Sequence, residues 1–244
     1  MRKITKNTEP KAWTQYRLTP GAAFKPIPEL VNSLLDEQGY ICAYCERRIP
    51  CKDAVEGTPG AENHRIEHLR TQSTSKKTGI STDLDYSNMV VCCPGNIARD
   101  GAANYHCDKR KGDVDLRISP LDDTMMSTIQ FTPSGLIKST DSQLDREINE
   151  TLNLNQQLLR SNRKETWLGI ARGLKAKDWN VSNIRHLIDV WESKHKENIN
   201  GHMVLAYKPY CSMVLYMLNK KLNMINGKSV GRFQLQWRRT ISLF

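Results

Sequence analysis

No stretch of this chain approaches the ~20 consecutive apolar residues that a membrane-spanning helix requires. The N-terminus, Met1-Arg2-Lys3-Ile4-Thr5-Lys6, is basic but lacks the apolar run of a secretory signal, so the chain is expected to stay in the cytosol. Acid is scarce relative to base: 26 Asp and Glu against 36 Lys and Arg leave a formal charge of +10. Such an excess suits polyanionic partners, because each Lys or Arg placed on a phosphate releases condensed counterions. A basic surface can also do no more than keep a protein soluble, and charge alone does not choose. The seven cysteines lack a pairing number, and all but Cys211 fall between Cys42 and Cys107. In a reducing compartment clustered thiols are more often metal ligands than disulfides. Cys211 stands apart in an apolar helical pattern and reads as a core residue.

What is present describes an ordinary globular protein. Apolar residues at 39% and charged residues at 25% over 244 positions supply a core for one large domain or two small ones. Residues 1–39 open with a polar segment punctuated by Pro10, Pro20, Pro26 and Pro28. A short amphipathic helix follows, carrying Leu30, Val31, Leu34 and Leu35 and stopping at Gly39. Residues 40–125 are turn-rich and irregular, and Thr71 through Gly79 reads as a mobile loop. Residues 141–226 turn helical. Leu144, Ile148 and Leu152 step by four and lead to Leu158 and Leu159; Val181, Ile184, Leu187, Ile188 and Trp191 mark a second helix. Pro209 is placed in the first turn of a third, with Val214, Leu215, Leu218 and Leu222. Trp167, Trp179 and Trp191 recur at a regular spacing without a surrounding repeat and read as core anchors. The segment holds no cluster of catalytic residue types, and it is the expected partner-docking part. The tail, 227–244, is basic and aromatic, with Arg232, Trp237, Arg238 and Arg239. Contact with nucleic acid, docking on a partner and poor order are all compatible with it.

Cys42 and Cys45 are separated by two residues, a spacing that aims both sulfurs at one tetrahedral ion. The second pair is split: Cys93 and Cys107 flank Pro94 through His106, read as an insertion that loops out and returns on Gly95, Asn96, Gly101 and Asn104. Cys92 is the alternative to Cys93. Cys93 is preferred because Pro94-Gly95 directly after it offers the turn a ligand cysteine needs. Free buried cysteines are the plainer reading of the set.

Between the thiols lie Glu67-His68 and Asn88, and Asp108 follows Cys107. Phosphodiester cleavage needs a water nucleophile, a base, and a cation for the charge that develops on phosphate. A hard divalent ion such as Mg²⁺ takes oxygen ligands and keeps several waters, and Glu67 and Asp108 are the candidates. His68 alternates to the other side of an extended segment and suits a general base, its ordinary pKa lying near neutrality. Asn88 is expected to brace the loop that carries His68. Lys109, Arg110 and Lys111 are placed to hold scissile-strand phosphates at the start of a helix. Singly, a His more often packs or faces solvent and an Asn more often forms a turn. His64 and His106 are nearby substitutes.

Taken together these residues resemble the zinc-bearing branch of the HNH endonuclease superfamily. The resemblance implies an α+β fold: a ββα-metal finger on a zinc knuckle of Cys42, Cys45, Cys93 and Cys107, followed by a mainly α-helical domain. It assigns His68 as general base, Asn88 as the middle position, Asp108 as the last metal-binding position and Glu67 as the acidic partner, with Mg²⁺ or Mn²⁺ as catalytic ion. Glu67 stands where Asp is usual, Asp108 where Asn or His is usual, and the second cysteine pair is split. More narrowly, Met1-Arg2-Lys3-Ile4, Cys42-Ala43-Tyr44-Cys45-Glu46, Ile66-Glu67-His68-Leu69-Arg70 and His106 through Gly112 are similar to the PtuB-type HNH proteins of Septu and retron anti-phage defence. That similarity implies an ABC/SMC-like ATPase partner of the PtuA type and, in retrons, a reverse transcriptase with its nucleic acid. The sequence carries no readout element choosing DNA, RNA or a structured RNA such as tRNA. Two other readings stand beside the nuclease: a non-catalytic zinc module that binds nucleic acid, and an interaction subunit with a degenerate site.

Overall fold

The computed structural model describes residues 1–49, 63–78, 82–95 and 101–227. These form a mixed α+β arrangement. In chain order it runs α1 (Lys11–Arg17), α2 (Pro28–Gln38), β1 (Arg65–His68), α3 (Gln72–Thr78), β2 (Met89–Cys92), α4 (Cys107–Lys111), α5 (Asp123–Met126), β3 (Ile129–Phe131) and β4 (Ile137–Ser139). Then come α6 (Ser142–Arg146), α7 (Gln157–Lys175), α8 (Val181–Glu192), β5 (His195–Ile199), β6 (His202–Ala206) and α9 (Cys211–Ile225). The strands pair as three separate antiparallel hairpins, β1–β2, β3–β4 and β5–β6. A lone hairpin is marginal in water, so each must lean on helices.

The first hairpin leans on α2. All four residues of β2 are buried, and the Gln38 side chain at the end of α2 donates to the carbonyls of Ile41 and Val91 while accepting from Val91 N. Leu30, Val31, Leu34 and Leu35 face the core, as the helical spacing of α2 requires. Gly39 ends the helix at φ +60°, and a Cβ there would lie 2.5 Å from the Tyr207 ring. Glycine is needed twice over at that position.

The core is continuous from Met1 and Ile4 to Leu218. Ser212 N donates to Glu46 Oε2 (3.0 Å) and Tyr210 N to Glu46 O (3.1 Å), which anchors the Cys42–Cys45 turn on the start of α9. Cys107 N donates to Leu152 O (2.9 Å), which ties α4 to the segment after α6.

Several expectations change in detail. Thr71 through Thr78 is not a loop: Gln72–Thr78 is helical, with Thr71 Oγ1 accepting from Thr74 N (3.3 Å) and Thr71 N donating to Asp115 Oδ1 (2.7 Å). The polar run is rich in Ser and Thr, which cap and tie a helix as readily as they form a loop. Leu144, Ile148 and Leu152 are all buried, but across α6 and a wide π-helical turn, Glu147–Thr151, rather than one regular helix. Pro209 precedes α9 instead of opening it, with Tyr210 at φ +61° between them. The mainly helical segment also contains the β5–β6 hairpin. Cys211 and Trp167 are buried, whereas Trp179 and Trp191 are only partly covered. The tail beyond Gly227, with Arg232, Trp237, Arg238 and Arg239, lies outside the described residues, as do Cys51, Gly79 and Asn96. Among the described residues no helix is long and apolar enough to cross a membrane.

Candidate metal and catalytic site

Two adjacent sites are built on the β1–β2 hairpin and α4. The first is a group of sulfurs. Cys42 and Cys45 sit on a tight turn closed by Cys42 N to Arg47 O (2.9 Å) and Glu46 N to Cys42 O (3.0 Å). Cys93 follows β2 and Cys107 opens α4. Their four Sγ atoms lie within 4.8 Å of one another, all buried, with Cys42–Cys107 at 3.8 Å and Cys45–Cys93 at 3.6 Å. A tetrahedron with zinc–sulfur bonds of about 2.3 Å has edges of ~3.8 Å, so the donor set and spacing fit zinc. Four thiolates gathered in a fully buried place are costly without a cation to neutralise them.

The insertion returns as expected at its described ends. His106 N donates to Gly95 O (3.2 Å), and at Gly95 (φ +69°) a Cβ would lie 2.4 Å from Lys109 Cβ and 2.5 Å from His106 O. Cys92 is buried beside the group but outside the quartet.

The second site is a pocket of acids. Glu67 pairs with Val90 and His68 with Met89 across the hairpin. Successive strand side chains point to opposite faces, so Glu67 and His68 diverge. Glu67, 3% exposed, accepts from Tyr44 OH (3.0 Å) and pairs with Lys111 Nζ (2.7 Å). Asp108, on the first turn of α4, makes an ion pair with Arg65 and lies in hydrogen-bond contact with the Glu67 carboxyl. Burial, and then the neighbouring Asp108, push the Glu67 carboxyl up to about 8, while Lys111 opposes the rise. Two facing, largely buried carboxyl groups are the kind of oxygen donor a hard divalent cation takes.

His68 Nε2 lies 2.9 Å from the Asp83 carbonyl, and its ring meets Phe24 edge-on at 4.5 Å. A carbonyl only accepts, so the neutral ring carries its proton on Nε2 and keeps its lone pair on Nδ1. Burial lowers the His68 pKa, which leaves the ring neutral at neutral pH. Asn88 braces this strand: its Oδ1 accepts from Arg70 N (2.8 Å), its Nδ2 donates to Arg70 O (3.0 Å) and Thr82 O (3.1 Å), and its carbonyl accepts from Leu69 N (2.9 Å).

The structure thus brings Glu67, His68, Asn88 and Asp108 into one neighbourhood, beside Cys42, Cys45, Cys93 and Cys107. It separates the three basic residues expected to hold phosphate. Arg110 is exposed and Lys109 half-exposed, but Lys111 is buried as the partner of Glu67. His106 lies against the sulfurs, and His64 stands just before β1. Sequence reasoning missed Tyr44, Arg65 and the α1 contribution, where Trp13 Nε1 donates to Leu84 O (3.1 Å) next to the carbonyl that holds His68. Tyr44 was findable, since it lies between the two cysteines of the turn. Trp13 is distant in sequence and left no signal.

No protein-family model matches the chain. It is 25% identical over 112 residues to an Escherichia coli protein named "retron Ec83 putative HNH endonuclease", an overlap covering 41% of this chain and 40% of that protein. The chain therefore spans about two fifths of the length of that relative.

Proposed function

We propose that the chain is a metal-dependent HNH endonuclease that hydrolyses phosphodiester bonds. The observation that carries this is the arrangement of Glu67 and His68 at the end of one strand, Asn88 stapling the turn, and Asp108 delivered beside Glu67 by α4. The hairpin followed by α4 is the ββα-metal finger of this reading, and the four cysteines are its structural zinc knuckle. Glu67 and Asp108 would hold a Mg²⁺ or Mn²⁺ ion, which when bound neutralises charge developing on the phosphate and the leaving oxygen. His68 accepts the proton of the attacking water at Nδ1. Lys109 and Arg110 face the solvent and contact the phosphate backbone. DNA is the first substrate to test and RNA, such as tRNA, the second.

The similarity to a protein named as a retron HNH endonuclease supports a retron setting, and an anti-phage role of the PtuB type is part of the proposal. An ABC/SMC-like ATPase partner of the PtuA type, and a reverse transcriptase with its nucleic acid, belong to this proposal. The region 141–226 would dock that partner. A specific observation favours the second reading, a non-catalytic zinc subunit: both carboxylates already have internal cations, Lys111 for Glu67 and Arg65 for Asp108. The deciding experiment incubates the purified chain, alone and with a PtuA-type ATPase, with DNA and total RNA plus Mg²⁺ or Mn²⁺. Cleavage that His68→Ala abolishes while zinc content is kept supports the nuclease. Wild-type protein that binds but never cuts supports the zinc subunit.

A further inference from the structure

His106 is a fully buried histidine that the proposed reaction does not use. It precedes Cys107, at the N-cap of α4, yet its side chain makes no capping hydrogen bond. Its Nδ1 lies 3.2 Å from Cys107 Sγ and 3.8 Å from Cys93 Sγ, while Nε2 has no hydrogen-bond partner among the described residues. The ring is therefore aimed at the sulfur group and at nothing else that would hold it. It is not one of the donors that converge, because the mutually close set is the four sulfurs alone. It flanks one edge of that set.

Four thiolates around one divalent cation leave a net charge of −2 in a buried place. Groups that donate to the sulfurs spread that charge, and without them each thiolate is a poorly solvated anion. The Arg47 guanidinium lies within electrostatic reach of Cys45, Cys93 and Cys107. On the Cys93–Cys107 edge, His106 Nδ1 is at the distance for a direct donor.

We infer that His106 is a positioning residue of the zinc site, donating its Nδ1–H to the Cys107 and Cys93 thiolates and thereby strengthening retention of the metal. This rests on reading the four sulfurs as a zinc site. The ring serves as a neutral N–H donor with its proton on Nδ1. The bare Nε2 is what that tautomer leaves behind. Leucine at this position would fill similar space without a donor, and asparagine would restore an N–H close to where Nδ1 stands.

The test compares full-length wild type, His106→Leu and His106→Asn by chelator competition for Zn²⁺ and by the spectrum of Co²⁺-loaded protein. His106→Leu should bind zinc about 10–100-fold more weakly, the scale of lost outer-shell partners. Its thiolate-to-cobalt charge-transfer band should move to lower energy, because sulfurs relieved of a donor give up electrons more easily. His106→Asn should recover most of the affinity and the band position. Wild-type affinity and spectrum in His106→Leu overturn the inference. So does a His106→Asn variant as weak as His106→Leu, which would mean that ring volume alone matters. A wild-type protein that takes up neither Zn²⁺ nor Co²⁺ removes the zinc reading itself, a result distinct from the other two.

Discussion

The sulfur quartet and the acid pocket share a hairpin and a helix, yet they are neutralised in opposite ways. Cys42, Cys45, Cys93 and Cys107 are gathered sulfur on sulfur, with His106 against one edge, Cys92 beside Cys42, and Arg47 and Arg163 within electrostatic reach. Glu67 and Asp108 each carry an internal cation, Lys111 and Arg65, and Glu67 also accepts from Tyr44. The first site is incomplete as chemistry unless an ion enters. The second is a closed network in which the Glu67 carboxyl keeps a proton up to about 8 despite Lys111, so an entering ion must displace that proton. A structural ion should be bound once and kept; a catalytic ion should exchange, and carboxylates with alternative partners let it do so.

The largest effect should come from breaking the quartet. Zinc in small cysteine sites supplies on the order of 10 kcal/mol of apparent folding free energy, as much as the whole net stability of a typical domain. Cys42→Ser or Cys107→Ser should therefore lose the metal and unfold the region around β1, β2 and α4, read by metal content and thermal denaturation. Cys92→Ser is the control: it lies outside the quartet and should keep one zinc. A Cys92→Ser protein without zinc would reverse the choice between Cys92 and Cys93.

Next in size is the acid pocket's own chemistry. Removal of a general base costs roughly 10²–10⁴-fold in rate, so His68→Ala should lose that much cleavage while its zinc content is kept. Asp108→Ala should bind Mn²⁺ more weakly and recover part of its activity at high Mn²⁺, because its loss removes an oxygen ligand and frees Arg65. An active His68→Ala enzyme would move the base to His64 and undo the register Glu67↔Val90, His68↔Met89 as a functional argument.

How much of this was legible in the sequence follows from the range of the interactions involved. The Cys42–Cys45 turn, the helix through Leu30 to Leu35 and its Gly39 stop are local, and spacing alone revealed them. The gathering of Cys93 and Cys107 was legible from the Pro94-Gly95 turn, whose glycine the packing of Lys109 and His106 requires. Lys111, expected beside phosphate at a helix start, closes the short α4 instead, and its ion pair with Glu67 at 2.7 Å could not be read from the sequence because Glu67 is far away in it. The Thr71 run failed for the opposite reason: serine and threonine serve loops and caps equally, and only Asp115 and Thr82 decide between them. The β1–β2 pair was expected only through the resemblance, and the β3–β4 and β5–β6 hairpins escaped notice, because strands of three to five residues give period-two alternation too little length to register.

The finest test of the contrast is the pH dependence of the metal-free acid pocket, zinc being kept in the quartet. Burial and Asp108 hold the Glu67 carboxyl at about 8, above the ordinary 4.5. A folded state that keeps a proton more firmly than the unfolded chain is favoured by that group below the ordinary carboxyl pKa. It loses the advantage as pH rises through the folded value. Without divalent ion, stability contributed at Glu67 should therefore decline between about pH 4.5 and 8, and Glu67→Gln, which cannot ionise, should remove that decline. The measurement is the difference in urea midpoint between wild type and Glu67→Gln at several pH values, since the difference cancels other titrating groups. Adding Mn²⁺ at the alkaline end should restore the wild-type midpoint and leave Glu67→Gln nearly unmoved, because the ion takes the place of the proton between the two carboxylates. If both proteins respond equally to Mn²⁺, Glu67 is not a ligand. The acid pocket would then be a structural ion pair like any other, and its contrast with the quartet would lie in position alone.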